Sequence, residues 1–250
     1  MSGTMQDYKG LVDYIASLGS AGVALSGGAD SSLLCFAAYE ALGDNAVAFT
    51  LDTCFMPRRE MERAKQAAAW AGIKHVPVHS NPLENPEIKS NTEMRCYYCK
   101  KALFSQVAIK AREAGLRYVI DGTNSDDDPT QRPGMKALAE LGVVSPLREA
   151  GIGKARVREI ARVLGLPSWD TPTYSCLATK VQKNKPITIE QLKLAESAEE
   201  TLISLGMEGF KVRLQEDGIR VETTGETLLN NREEAGRVLK KLGFADIDLI

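Results

Sequence analysis

Apolar positions along the first two thirds of the chain alternate between two periods. Leu11, Val12, Ile15 and Leu18 have helical spacing, and Gly19 and Gly22 bracket the stop. The short apolar run Gly22-Val23-Ala24-Leu25 predicts a strand that ends in a glycine-rich turn. A helix over 30–42 follows, with Leu33, Leu34, Ala37, Ala38 and Ala41 on its inner face. The pattern then predicts a buried strand over 46–51, a helix over 58–71 and a third strand over 74–78. Beyond a loop rich in proline and asparagine (81–91) come a helix over 96–114 and a fourth strand, Tyr118-Val119-Ile120, ending at Asp121-Gly122. Helices over 134–141 and 154–164 complete the series. Strands alternating with helices imply a parallel sheet covered by helices on both faces.

Near Pro186 the pattern changes. A long helix is predicted over 188–205, and strands over 210–214 and 219–223 form a hairpin across Glu216-Asp217-Gly218. A helix over 233–242 and a last strand over 247–250 follow. The chain therefore divides into an α/β domain over 1–183 and a smaller α+β domain over 184–250, joined by a linker from Lys180 to Pro186.

The length of 250 residues suits one large domain with a small companion. Hydrophobic residues make up 44% and charged residues 26%, the balance of a globular protein able to bury a core. A formal net charge of −2 disfavours nucleic acid as the chief partner. Residues 1–8 lack a basic stretch followed by an apolar run, and no segment reaches membrane-spanning length, so a cytoplasmic protein without a membrane partner is expected. Cys35, Cys54, Cys96, Cys99 and Cys176 are odd in number, which argues against a disulfide framework and leaves buried thiol, metal ligand or reactive sulfur. His75 and His79 are the only histidines, flank one strand, and read as structural.

Ser26-Gly27-Gly28-Ala29-Asp30-Ser31 lies between a strand and a helix. Two glycines let backbone approach an anion, and the amides of the following helix point at it with the positive end of the helix dipole. Ser26 and Ser31 add hydroxyl donors, while Asp30 suits a Mg2+ ion held on phosphates. The segment has neither the Gly-Lys-Ser/Thr ending of the kinase-type loop nor the dinucleotide spacing. A plain glycine turn with Asp30 as a helix cap is the alternative. The hexapeptide resembles the loop of the ATP pyrophosphatase (PP-loop) superfamily, which includes GMP synthetase, NAD synthetase and tRNA thiolases. That resemblance implies an adenine nucleotide alpha hydrolase-like fold, and cleavage of ATP to leave AMP on a substrate oxygen and release pyrophosphate.

Cys96 and Cys99 sit in Arg95-Cys96-Tyr97-Tyr98-Cys99-Lys100 at the start of a helix, where residues three apart share a face and the helix N-terminus favours thiolates. Cys176 lies in Tyr174-Ser175-Cys176-Leu177-Ala178-Thr179-Lys180. Three thiolates suit an iron–sulfur cluster with one open iron, or zinc with an outside ligand; a fortuitous pair of buried thiols is the alternative. Cys35 falls on an apolar helix face and reads as core, and Cys54 is unassigned.

Further segments follow in order: Asp121-Gly122-Thr123-Asn124-Ser125-Asp126-Asp127, Arg132-Pro133-Gly134, Ser145-Pro146-Leu147, Lys154 with Arg158, Trp169-Asp170 and Cys176-Leu177-Ala178. Together with the phosphate loop and the Cys-x-x-Cys segment, this series resembles the LarE family of ATP-dependent sulfur transferases. The resemblance runs from Ser26 to Lys180 and more loosely through the hairpin around Arg213 and Arg220. It departs at Thr179-Lys180, where the family more often has Ser-Arg.

The resemblance implies adenylation of the carboxylates of pyridinium biscarboxylic acid mononucleotide and their conversion to thiocarboxylates, on the way to the nickel-pincer nucleotide cofactor of lactate racemase. Some members sacrifice the sulfur of the cysteine matching Cys176. Others hold a 4Fe-4S cluster on three cysteines, and Cys96, Cys99 and Cys176 match that type, with sulfide or another sulfur donor as co-substrate. Superfamily resemblance places adenine and ribose near Leu51, Thr53 and Gly122, at strand ends where open parallel sheets bind ligands. Arg132 suits a phosphate. Arg213, with Lys211 on the same strand face, suits the phosphate of the substrate nucleotide or a polar surface. The run from Asp121 to Asp128 suits magnesium or a solvated loop. A homo-oligomer is expected. A tRNA thiolase, an amide ligase of the NAD synthetase type and a zinc-stabilised nucleotide sensor remain as alternatives.

Overall fold

The computed structural model describes residues 3–130, 132–172, 175–216, 218–223 and 231–250. The elements of the first part are α1 (Gly3–Leu18), β1 (Ala21–Ala24), α2 (Ala29–Leu42), β2 (Ala46–Asp52), α3 (Arg58–Ala71), β3 (Lys74–His79), α4 (Pro86–Lys89), α5 (Arg95–Glu113), β4 (Tyr118–Ile120), α6 (Pro133–Glu140), α7 (Pro146–Glu149) and α8 (Lys154–Val163). After them come α9 (Ile189–Ser204), β5 (Phe210–Leu214), β6 (Gly218–Thr223), α10 (Arg232–Lys241) and β7 (Asp246–Leu249). The predicted hairpin turn at Asp217 and Tyr174 of the Cys176 segment lie outside the described residues.

The first four strands form a parallel sheet of order β3-β2-β1-β4. Val144 extends it by a parallel bridge to Ile120. Strand alternation sends consecutive residues to opposite faces. Ala21, Val23, Ala46 and Ala48 join one core with Leu11, Ile15, Leu33, Leu34, Val157 and Ile160 from α1, α2 and α8. Val47, Phe49 and Val119 join another with Phe104, Val107 and Ala111 of α5 and Leu138 of α6. The result is an α/β sandwich with helices on both faces. Helix α2 is apolar nearly all round because it packs against α1, α3 and α8 at once.

Contacts divide the chain into two compact units: residues 1–81 with 96–173, and residues 82–95 with 174–250. Pro82–Arg95 joins the second unit through hydrogen bonds at long sequence separation. Ile187 N–H donates to the Lys89 carbonyl at 2.8 Å, and Asn184 N–H to that of Asn91 at 3.1 Å. The second unit carries a mixed sheet of order β5-β6-β7, antiparallel between β5 and β6 and parallel between β6 and β7. Helix α9 begins in a capping box between Thr188 and Gln191, and its buried Leu192, Ala195, Ala198 and Leu202 face inward.

Candidate active site

In the first unit the strand order reverses between β1 and β4, and ligands of open α/β sheets lie beyond the C-terminal ends of strands at such a point. Ser26 to Gly28 leave β1 there, and Asp121-Gly122 leave β4 beside them. Gly27 has φ +83, and a Cβ on it would stand 2.7 Å from the Glu60 carbonyl oxygen and 2.9 Å from the Ala64 nitrogen. Gly28 is the N-cap of α2 with φ −78, and a Cβ there would meet only the Ser26 hydroxyl, at 3.7 Å. One glycine is demanded by the neighbouring helix; the other leaves its side open. The Ser31 hydroxyl ties the turn together, accepting from Ser26 N–H at 3.1 Å and lying 3.0 Å from Ser26 Oγ. Gly122 presses on the same turn: its Cβ would lie 3.0 Å from Ser31 N.

The entry to the loop is pinned from below. Thr50 Oγ1 donates to the Leu25 carbonyl at 2.8 Å and therefore accepts from His75 Nε2–H at 2.7 Å. That bond puts a proton on Nε2, and burial, with the Lys65 charge second, lowers the His75 pKa.

The acidic run resolves into four separate jobs. Asp121 is buried and accepts from the hydroxyls of Thr123 (2.6 Å) and Ser145 (2.7 Å). Asp126 caps α8 by accepting Lys154 N–H at 2.7 Å, and a Cβ at Gly153 would fall 2.6 Å from that carboxylate and push it aside. Asp128 closes its own turn onto Thr130 N–H at 2.9 Å. Asp127 has Arg132 Nη1 at 2.8 Å and Lys154 Nζ at 3.7 Å, and its charge acts on Asp30. Burial first, and the Asp127 charge second, raise the Asp30 pKa, while the Asn124 amide, Lys154 and Arg158 pull the other way. Two carboxylates that repel each other among three basic side chains favour a cation and an anion at the same place. That donor set fits a Mg2+–phosphate group. Nothing in residue spacing distinguishes Asp127 from its neighbours; only the fold of its loop does.

Leu51 is half-buried in β2, and buried Thr53 uses its hydroxyl to accept Phe55 N–H at 3.2 Å, closing the turn after the strand. Asp52 at the same strand end pairs with Arg58 (2.9 Å) and His79 (2.8 Å). Cys96 is exposed and Cys99 half-buried on the first turn of α5, with the start of α6 so close that a Cβ at Gly134 would meet the Cys96 carbonyl at 3.4 Å. Cys35 is fully buried in the core, and desolvation pushes its thiol pKa up to about 12.

In the second unit Cys176 is exposed. Arg213 donates to the Thr179 carbonyl at 2.7 Å. Lys180, expected in a linker, is buried in an ion pair with buried Glu199. Among the described residues, no group of three or more His, Cys, Asp or Glu side chains stands gathered as a metal site. None of their helices is long and apolar enough to cross a membrane.

Residues 15–126 match the asparagine synthase family, a PP-loop ATP pyrophosphatase domain. An uncharacterised protein of Synechocystis sp. is 40% identical over 220 residues, spanning 88% of this chain and 82% of that protein. The pyridinium-3,5-bisthiocarboxylic acid mononucleotide synthase of Lactiplantibacillus plantarum is 32% identical over 244 residues, 96% of this chain and 88% of the relative. An uncharacterised protein of Methanocaldococcus jannaschii is 33% identical over 163 residues, 64% of this chain and 64% of that protein.

Proposed function

This chain belongs to the LarE family of PP-loop ATP-using enzymes, and from that premise we propose that it is an ATP-dependent sulfur transferase acting on pyridinium-3,5-biscarboxylic acid mononucleotide. The observation that carries the proposal is the open side of Gly28, set beside the Asp30–Asp127 carboxylate pair at the switch point of the sheet. The 32% identity to the synthase named for the bisthiocarboxylic acid mononucleotide supports this choice of substrate.

ATP lies with its phosphates on the amides of Gly27 to Ser31. Asp30 and Asp127 would hold Mg2+, which would neutralise charge on the phosphates as they separate. Lys154, Arg158 and Arg132 add positive charge on the same side. A substrate carboxylate oxygen attacks the α-phosphorus, the bond to the bridging oxygen breaks, and pyrophosphate leaves. The acyl-adenylate carbonyl then accepts sulfur, and AMP departs with the former carboxylate oxygen. Cys96, Cys99 and Cys176 would hold a 4Fe-4S cluster, whose thiolate-rich donor set suits iron and which would supply sulfide without loss of a protein sulfur.

Incubation of the protein with ATP, magnesium, sulfide and the biscarboxylic mononucleotide tests the proposal. AMP and pyrophosphate should form only with the carboxylate present, together with a product heavier by one oxygen-to-sulfur exchange. Release of ADP and phosphate would sink it. Pyrophosphate release with tRNA, or amide formation with ammonia, would instead select the thiolase or amide-ligase alternative.

A further inference from the structure

The turn that follows Cys176 is held with unusual completeness. Thr179 N–H (2.9 Å) and the Thr179 hydroxyl (2.6 Å) both donate to the Cys176 carbonyl, so residues 176–179 close on themselves. Leu177 and Ala178 are buried, while Cys176 itself is exposed. Two carbonyls further along the turn, those of Ala178 and Thr179, each receive a guanidinium. Arg95 Nη1 donates to Ala178 at 2.6 Å, and Arg213 Nη1 to Thr179 at 2.7 Å. The following side chain, Lys180, is buried against Glu199 of α9.

Arg95 is in turn fixed by the Asn91 side-chain oxygen at 2.5 Å. Asn91 is fully buried at φ 58, and its amide donates to the Gln182 carbonyl at 2.8 Å. All of these residues belong to the second unit.

We propose that Arg95 and Arg213 are positioning residues that hold the exposed Cys176 sulfur in one orientation by binding the carbonyls of Ala178 and Thr179, two and three residues after it. Two charge-assisted hydrogen bonds to successive carbonyls fix the peptide planes of the turn, which a single neutral bond does not do. Arginine suits the task because its planar fork stays charged and loses little freedom per bond formed. This assignment rests on the sulfur-transfer reading for its purpose, though not for its test.

Hydrogen exchange on the full-length protein, resolved by peptide, reads the clamp without any activity. Arg95→Gln and Arg213→Gln should each raise exchange in the Ser175–Lys180 peptide about tenfold or more, the scale of one charge-assisted bond lost. Exchange in α9 should stay as in the native protein, and Arg95→Lys, which keeps a donor, should recover part of the protection. For Arg95→Gln, pyrophosphate release should persist while thiocarboxylate formed per pyrophosphate falls. Unchanged exchange at 175–180 in both variants would overturn the proposal. A rise spread equally over α9 would also overturn it, since that marks general loosening. If the native protein releases no pyrophosphate with the mononucleotide, the functional reading fails while the exchange result still decides the clamp.

Discussion

Replacing each glycine of the phosphate loop by alanine separates what the fold needs from what the ligand needs. At Gly27 an alanine takes on a left-handed φ of +83, which costs roughly 1–2 kcal/mol without a glycine. Its methyl also meets backbone atoms of α3 at 2.7 and 2.9 Å, and overpacking of this kind costs about 1–3 kcal/mol. The sum, about 2–5 kcal/mol, is a large share of the ~5–15 kcal/mol that holds a typical protein folded. For a chain of this size it lowers Tm by roughly 4–20 °C. At Gly28 the φ of −78 suits any residue and the methyl meets only Ser26 Oγ at 3.7 Å. Loss of a glycine N-cap and the reduced freedom of the unfolded chain are each worth about 0.5–1 kcal/mol, with opposite signs, and nearly cancel. The methyl instead occupies the open side where a phosphate would sit. Urea denaturation and pyrophosphate release on both variants give the answer. Gly27→Ala should be clearly destabilised; Gly28→Ala should unfold like the native protein yet lose at least about tenfold in kcat/KM for ATP. A Gly28→Ala enzyme with native turnover would refute phosphate binding at this loop, and a Gly27→Ala protein as stable as the native one would refute the steric argument.

Asp30→Asn should abolish most adenylation while leaving the fold intact and slightly more resistant to urea at neutral pH, because it removes a partly buried charge repelled by Asp127; loss of stability would count against that picture. The sign with pH follows from the raised Asp30 pKa: the fold disfavours the ionised form, so this group adds stability as pH falls through its folded pKa, while metal-dependent adenylation declines as the same carboxylate takes up a proton. Lys180→Met should cost about 3–5 kcal/mol in chemical denaturation by stranding buried Glu199, and a second change, Glu199→Leu, should restore most of it. Changing Cys96, Cys99 or Cys176 to Ser should each lower bound iron and sulfide and stop thiolation while pyrophosphate release continues. Dehydroalanine at Cys176 in the mass spectrum after turnover would point to a sacrificial sulfur instead.

Local periodicity determined the elements. The helix over Arg58–Ala71 was legible because it repeats its apolar positions with one period and stops at Gly72, and the strand at Tyr118–Ile120 because a short apolar run ends at Asp121-Gly122. The parallel α/β class, the hairpin of the smaller α+β part and the place of the phosphate loop after the first strand follow from that order of elements, whereas the parallel pairing of β6 with β7 does not. Short helices such as α4 and α7 escaped because four residues carry no period. Tertiary structure decided the rest. It set the strand order that places Gly122 against Ser31, brought the Asp127 charge to bear on Asp30, and carried Pro82–Arg95 into the second unit. It also gave Arg213 a backbone carbonyl and drew Lys180 into the interior with Glu199. Each of these depends on partners up to 90 or more positions away, such as Asn91 with Gln182, and a pattern read over a few neighbouring residues holds no record of which distant group will satisfy a buried charge or donor.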